Sequence, residues 1–177
     1  MNLPNILTLT RVLMIPFFVI FIIDKHFGYA LITFVIAGIT DGIDGLIARI
    51  THQRTELGAY LDPIADKLLL FSAFITLAIV EIIPSWLVVI VITRDVIILV
   101  GFLVMLLIGY HPKISPRLLS KVTTAFQIIT IALVLLSGYY PMFKQPSVIA
   151  VYGTAVLTVL SGAQYIFIGT RILNEKK

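Results

Sequence analysis

The stretch at positions 41–66, DGIDGLIARITHQRTELGAYLDPIAD, decides how this chain is interpreted. It contains Asp41, Asp44, Asp62 and Asp66, four of only nine acidic residues in the sequence. Strongly apolar sequence lies on both sides of the stretch. Ionised carboxylates within a membrane are costly unless they are paired with cations or bound to metal. The stretch therefore predicts a polar site, with divalent metal, inside an apolar protein.

The composition indicates an integral membrane protein. Of the 177 residues, 59% are hydrophobic and 12% are charged, whereas about 25% are charged in an ordinary soluble domain. The charge-free stretches 122–143 and 145–170 are each long enough to cross a bilayer, since a span needs roughly 20 apolar residues. Backbone polar groups in lipid must be satisfied within their own segment, so we expect an all-α protein. We predict one membrane domain, 1–177, with six transmembrane helices at about 5–23, 28–50, 58–82, 85–109, 118–138 and 147–170.

The distribution of lysine and arginine predicts the orientation of these helices. With six spans both termini lie on one side, and that side would hold nine basic residues against two, Lys25 and Lys144, on the other. Such an excess marks the cytoplasmic side, so both termini are expected in the cytoplasm, with the site facing it from the cell's inner (plasma) membrane. The net charge of +4 is thus explained by topology. An anionic head group or substrate is a second possible target for these positive charges. No motif favours nucleic acid, and the absence of cysteine excludes disulfides and thiol chemistry.

The spacing of the aspartates predicts that they form one site. Asp41 and Asp44 are three residues apart and Asp62 and Asp66 are four apart, so each pair shares a helical face. In an antiparallel hairpin that turns near residue 53, Asp41 lies at the depth of Asp66 and Asp44 at that of Asp62. At about 1.5 Å per residue, the cluster lies on the order of 12–19 Å from the turn.

The donor set favours a hard divalent cation. Oxygen-only ligation is typical of Mg²⁺ or Mn²⁺, and two carboxylate pairs could hold two ions. A two-metal site stabilises the attacking and leaving oxygens of a phosphoryl-type displacement. Gly45 permits close approach of a helix or ligand, while Arg49 and Thr55 lie where a phosphate would enter from the cytoplasm. The alternatives are solvated or salt-bridged acids at a helix end, or the cation site of an ion-coupled transporter.

The pattern D-x-x-D-G-x-x-A-R, then eight residues, then G-x-x-x-D-x-x-x-D at positions 41–66 resembles the signature of the CDP-alcohol phosphotransferases. Every defining position is present at the family's spacing. The opening NLPNILTLTR at 2–11 and the segment SKVTTAFQ at 120–127 are similar to the branches of this family that form phosphatidylglycerophosphate and cardiolipin. The pair Arg94-Asp95 is also similar to these branches of the family.

The resemblance implies that a phosphatidyl group passes from CDP-diacylglycerol to an alcohol, with release of CMP. We expect sn-glycerol 3-phosphate as the acceptor, giving phosphatidylglycerophosphate; the alternative within the family is phosphatidylglycerol, giving cardiolipin. Thr123 stands where many phosphatidylglycerophosphate-forming members carry lysine, and this departure leaves the acceptor open. The alternative of a different class, an ion-coupled membrane transporter, predicts cation flux without CMP release.

The resemblance also implies roles for individual residues. Asp41, Asp44 and Asp62 would ligate metal. Asp66 would lie near the second ion and act as general base toward the acceptor hydroxyl. The residues that match positions contacting the cytidine diphosphate moiety are Asn5, Thr8, Gly45, Arg49 and Thr55.

Basic residues of the later helices are candidates for binding the acceptor phosphate, namely Arg94, Lys121 and Arg117. An internal ion pair for Arg94 and a membrane anchor for Lys121 are the simpler interpretations. Small residues of the last helix, such as Gly153 and Gly162, would allow close packing between two copies, so a homodimer is expected.

Overall fold

The computed structural model describes the backbone of residues 3–50, 56–107 and 118–174, and the side chains of residues 9–40, 65–105, 107 and 118–171. This part of the chain is all helical, as predicted, and its α-helices are α1 Leu3–Ile23, α2 Phe27–Ile50, α3 Glu56–Ile79, α4 Ser85–Leu107, α5 Leu118–Ser137 and α6 Lys144–Asn174. A short 3₁₀ turn, Pro141–Phe143, precedes α6. Six α-helices are therefore confirmed among the described residues, and their ends differ most from the predicted ones in α3 and α6.

Two helices end in the same left-handed turn without a glycine. Lys25 after α1 and Glu81 after α3 both have φ of 60°. The next amide in each turn donates back to the helix, from His26 to the Phe21 carbonyl at 2.7 Å and from Ile82 to the Leu77 carbonyl at 2.9 Å. These bonds satisfy carbonyls that a helix end leaves open. As a result, α3 ends at Ile79, earlier than the predicted residue 82.

The last helix begins earlier and ends later than predicted. It runs from Lys144 to Asn174, against a predicted 147–170. Pro146 lies in its first turn, where the missing N–H of proline costs nothing because that amide has no helical partner. The proline is therefore accommodated in the first turn of this helix and does not block it.

Three helices are long and apolar enough to cross a membrane, by length and composition. Among the described residues these spans are Ser85–Met105, Leu118–Ser137 and Pro141–Arg171. Leu9–Ile23 and Phe27–Thr40 are shorter apolar helices. Large apolar side chains such as Phe17, Leu99 and Phe167 lie exposed on the outer surface, which suits a protein embedded in lipid.

The helices pack around one apolar core. Helix α1 packs against α2 and α3, α6 packs against α4 and α5, and α2 also contacts α5. Phe18 of α1 and Phe34 of α2 stack with ring centroids 5.7 Å apart, and both belong to the buried cluster that includes Phe74 and Leu135. Two arginines, Arg11 and Arg94, are nevertheless buried within the helical bundle.

A row of hydroxyl groups joins α5 to α6, which we call the threonine seam (Thr123, Thr130 and Thr154). The hydroxyls of Thr130 and Thr154 lie 2.7 Å apart, and Thr130 also donates to the Ala150 carbonyl at 3.2 Å. Thr123 donates to the Leu157 carbonyl of α6 at 3.3 Å. Hydroxyl bonds between helices are a common way to hold them together where no water is present.

Candidate active site

Helix α3 presents Asp66 to a buried arginine of α1. The Nη1 atom of Arg11 donates to Oδ1 of Asp66 at 2.5 Å. The side chain of Arg11 is only 1% exposed, whereas that of Asp66 is 45% exposed. Because α1 packs along α3, the long arginine side chain reaches this carboxylate from inside the bundle. The carboxylate of Asp66 is therefore half-exposed, and a permanently charged guanidinium binds it from the buried side.

The other three predicted metal ligands are described by backbone alone. Positions 41 and 44 lie within α2, and position 62 lies within α3 together with Asp66. The predicted helical spacing, three residues in α2 and four in α3, is therefore present. Carboxylate oxygens are the ligands that Mg²⁺ and Mn²⁺ prefer in proteins. Ligation by Asp41, Asp44 and Asp62 stays a prediction, since their side chains lie outside the described residues.

The predicted contacts to the cytidine diphosphate also fall largely outside the described side chains. Asn5 and Thr8 lie on α1, and Gly45 and Arg49 lie on α2. Thr55 is outside the described residues. These assignments stay predictions.

A second set of charged side chains, which we call the charged cluster, links α3 to the last three helices. Asp95 of α4 accepts from Nζ of Lys67 at 2.5 Å through one oxygen and from Nη1 of Arg94 at 2.5 Å through the other. Arg94 also donates through Nη2 to Ser120 of α5 at 2.5 Å and to Ser161 of α6 at 3.0 Å. The cluster therefore ties four helices together through a single carboxylate and a single guanidinium.

Burial within the charged cluster is uneven. The side chains of Arg94 and Asp95 are 4% and 7% exposed, while that of Lys67 is 41% exposed. A Cβ added at Gly162 would lie 3.6 Å from Cγ of Arg94, so the small residue lets α6 pack on the arginine. Arg94 is thus engaged in an internal ion pair, the simpler of its two interpretations. The positive charge that the cluster exposes belongs to Lys67.

The remaining candidates for the acceptor phosphate lie at the start of α5. Lys121 is exposed and directly follows Ser120, which accepts a hydrogen bond from Arg94. Arg117 lies outside the described residues. Contact of Arg94, Lys121 or Arg117 with an acceptor stays a prediction.

A cavity of about 520 Å³ lies at the other end of the bundle. It opens between the turn after α1 and the end of α5, and is lined by Lys25, His26, Tyr29, Tyr139 and Tyr140 among others. Its aromatic side chains suit a membrane interface. The cavity lies far along the helices from Asp66, so it is separate from the predicted catalytic site.

Sequence reasoning did not identify Arg11 or Lys67 as parts of the site. Arg11 is one of the nine basic residues assigned to the cytoplasmic side, yet its cation lies within α1, directly before the apolar run 12–23. A charge in such a segment indicates a buried partner, because an unpaired one is costly in lipid. That signal was present in the sequence, whereas the identity of the partner was not.

Comparison with known proteins identifies the family. The family model described as CDP-alcohol phosphatidyltransferase matches residues 1–160, and the chain belongs to that family. The recognition made from the 41–66 pattern is therefore confirmed.

Individual relatives fall into two groups. A CDP-diacylglycerol–glycerol-3-phosphate 3-phosphatidyltransferase of Bacillus subtilis is 33% identical over 93% of this chain and 93% of its own length. A probable phosphatidylglycerophosphate synthase of Mycobacterium tuberculosis is 36% identical over 93% of the chain and 80% of its own length. A probable cardiolipin synthase (CMP-forming) of Drosophila melanogaster is 33% identical over 94% of the chain, which spans only 57% of that relative.

Proposed function

We propose that this protein transfers a phosphatidyl group from CDP-diacylglycerol to sn-glycerol 3-phosphate, forming phosphatidylglycerophosphate and CMP. The observation that carries this proposal is the half-exposed carboxylate of Asp66, the last residue of the family's motif. Arg11 holds this carboxylate through an ion pair. Its support from relatives is the similarity to the Bacillus subtilis transferase, which extends over nearly the whole of both chains.

The reaction needs a base and charge neutralisation at the diphosphate. Asp41, Asp44, Asp62 and Asp66 would hold two Mg²⁺ or Mn²⁺ ions, which when bound neutralise charge on the diphosphate and on the leaving CMP. Asp66 takes the proton of the acceptor hydroxyl as that oxygen attacks the phosphorus bearing the diacylglycerol. The bond from this phosphorus to the oxygen of CMP breaks, and CMP leaves with its electron pair.

The substrates are expected to bind on either side of this centre. The residues proposed for the cytidine diphosphate are Asn5, Thr8, Gly45, Arg49 and Thr55. Arg49 can pair with phosphate through two parallel hydrogen bonds. The residues proposed for the acceptor phosphate are Arg94, Lys121 and Arg117.

The site is proposed to face the cytoplasm from the inner (plasma) membrane, with both termini on that side. The excess of lysine and arginine at that end supports this orientation. A homodimer is proposed on the small residues of α6, such as Gly153, which permit close helix packing.

An acceptor panel tests the proposed reaction. Purified protein in detergent–lipid micelles is given CDP-diacylglycerol and Mg²⁺, together with glycerol 3-phosphate, phosphatidylglycerol, inositol phosphate or serine. We expect CMP release and a lipid-linked product with glycerol 3-phosphate. Product from phosphatidylglycerol alone would establish cardiolipin formation, the activity named for the Drosophila relative. Cation flux in vesicles without CMP release from any acceptor would favour the transporter and overturn the enzyme.

Removing the exposed cation of α5 tests the acceptor site. Lys121→Ala should raise the KM for glycerol 3-phosphate about tenfold, because a hydrogen bond to a charged group contributes roughly 1.5–3 kcal/mol. The KM for CDP-diacylglycerol should change little. Lys144→Ala removes another exposed cation, at the start of α6, and serves as the control. An unchanged KM for glycerol 3-phosphate in Lys121→Ala would contradict acceptor binding and leave Lys121 as a membrane anchor.

A further inference from the structure

The buried cation of α1 has no place in the reaction described so far. Arg11 lies eight residues into α1 and is almost completely buried, yet its guanidinium contacts the half-exposed Asp66. Burying an arginine among apolar helices is costly even when it is paired. Holding two helices together does not require so expensive a contact, since apolar packing between α1 and α3 is already extensive.

We propose that Arg11 is a positioning residue for Asp66. It fixes one carboxylate oxygen, Oδ1, so that the second oxygen is held in the direction from which the acceptor hydroxyl is deprotonated. The inference rests on the proposed function, because the effect of Arg11 is expressed through phosphatidyl transfer.

Burial determines the kind of role that Arg11 can have. At 1% exposure its side chain is closed to substrate. Any effect on the reaction must therefore pass through the groups that it contacts, and Asp66 is the proposed base among them. Arg11 accordingly acts by orienting Asp66 instead of binding a substrate.

The chemistry of the guanidinium suits this task. It is planar, permanently charged, and presents its donors in a fixed fork, so it specifies the direction of a carboxylate and not merely its distance. Asp66 is half-exposed, so its orientation depends on the groups that hold it. A misplacement of about 1 Å in a reacting group can cost on the order of 100-fold in rate.

Lysine at position 11 separates orientation from charge. Arg11→Lys keeps the positive charge but replaces the rigid fork by a point charge on a flexible stem. We expect kcat to fall about 10- to 100-fold, with the KM for CDP-diacylglycerol nearly unchanged. Arg11→Gln removes the charge as well and should be slower still, so that lysine gives a partial rescue.

The experiment compares these variants with a control in the turn after the same helix. Steady-state CMP release with glycerol 3-phosphate is measured for wild type, Arg11→Lys, Arg11→Gln and Lys25→Gln, the last removing an exposed cation just after α1. Activities are normalised to the folded fraction, which is determined by thermal unfolding and size-exclusion chromatography. Lys25→Gln should retain the wild-type kcat.

A double variant tests whether the effect passes through Asp66. Arg11→Lys should slow wild type but should not slow Asp66→Asn further, because the carboxylate that it orients is then absent. Equal fold losses in both backgrounds would overturn the proposal. So would a wild-type kcat per folded molecule in Arg11→Lys, which would leave Arg11 as an ion pair between α1 and α3.

The outcomes distinguish this inference from the function on which it rests. Wild-type protein that releases no CMP with any acceptor overturns the proposed function, and the role of Arg11 with it. Wild-type turnover that Arg11→Lys retains in full overturns the role of Arg11 alone. If Arg11→Gln does not fold, Arg11→Lys and the double variant still decide the question.

Discussion

Asp66→Asn should lower kcat for CMP release by roughly 100- to 10,000-fold, the usual contribution of a positioned general base. Asparagine has nearly the size and shape of aspartate, and its amide oxygen can still accept the hydrogen bond from Arg11. It cannot take a proton from the acceptor hydroxyl. CDP-diacylglycerol binding should be largely spared, so the loss should appear in kcat and not in the KM for the lipid.

The control for this variant is Asp24→Asn, which alters an exposed aspartate directly after the far end of α1. Its kcat should equal that of wild type. CMP release is followed at saturating glycerol 3-phosphate, and CDP-diacylglycerol binding is measured separately with labelled lipid. Retained turnover in Asp66→Asn would remove Asp66 as the base, even if phosphatidyl transfer itself is established.

The second large effect is expected on stability, from Asp95→Ala in the charged cluster. Asp95 accepts hydrogen bonds from both Arg94 and Lys67, and its side chain is 7% exposed. Without this carboxylate, the buried charge of Arg94 faces only the hydroxyls of Ser120 and Ser161 among the partners described here. Leaving a buried charge uncompensated costs about 3–5 kcal/mol. The midpoint of thermal unfolding should then fall by roughly 10 °C.

A paired substitution shows whether uncompensated charge is the cause. Arg94→Met combined with Asp95→Leu removes both buried charges, and should recover much of the stability lost in Asp95→Ala. Asp24→Ala, at an exposed aspartate, should shift the midpoint by only about 1–2 °C. Unfolding is measured in detergent by tryptophan fluorescence or light scattering. A midpoint for Asp95→Ala equal to that of the Asp24 control would contradict a structural role for the charged cluster.

The helical architecture was predictable because the membrane imposes it. Apolar segments that must satisfy their backbone polar groups internally form helices, and their number follows from the breaks between them. The end of α3 was harder to predict, because Glu81 adopts a left-handed conformation that is normally associated with glycine. The start of α6 was also missed, because the predicted range 147–170 left out the first turn that contains Pro146.

The candidate site was predictable where its signal is local. Asp66 belongs to a pattern that can be found along the chain, and the possible ion pair of Arg94 with Asp95 joins neighbouring residues. The contacts of Arg11 with Asp66 and of Lys67 with Asp95 depend on how α1, α3 and α4 pack. Helix packing is set by many weak contacts between distant segments, so sequence alone does not identify these partners.

The threonine seam has a consequence for how the proposed lipid substrate can enter. Sliding α6 along α5 by one helical turn, about 5.4 Å, would break the bonds of Thr123, Thr130 and Thr154 together. Thr123 would keep its bond to the Leu119 carbonyl within α5 at 2.8 Å, but Thr130 and Thr154 would lose their partners across the seam. We therefore expect α5 and α6 to move as one unit. An opening that admits the proposed lipid substrate should form by movement of the other helices against this pair.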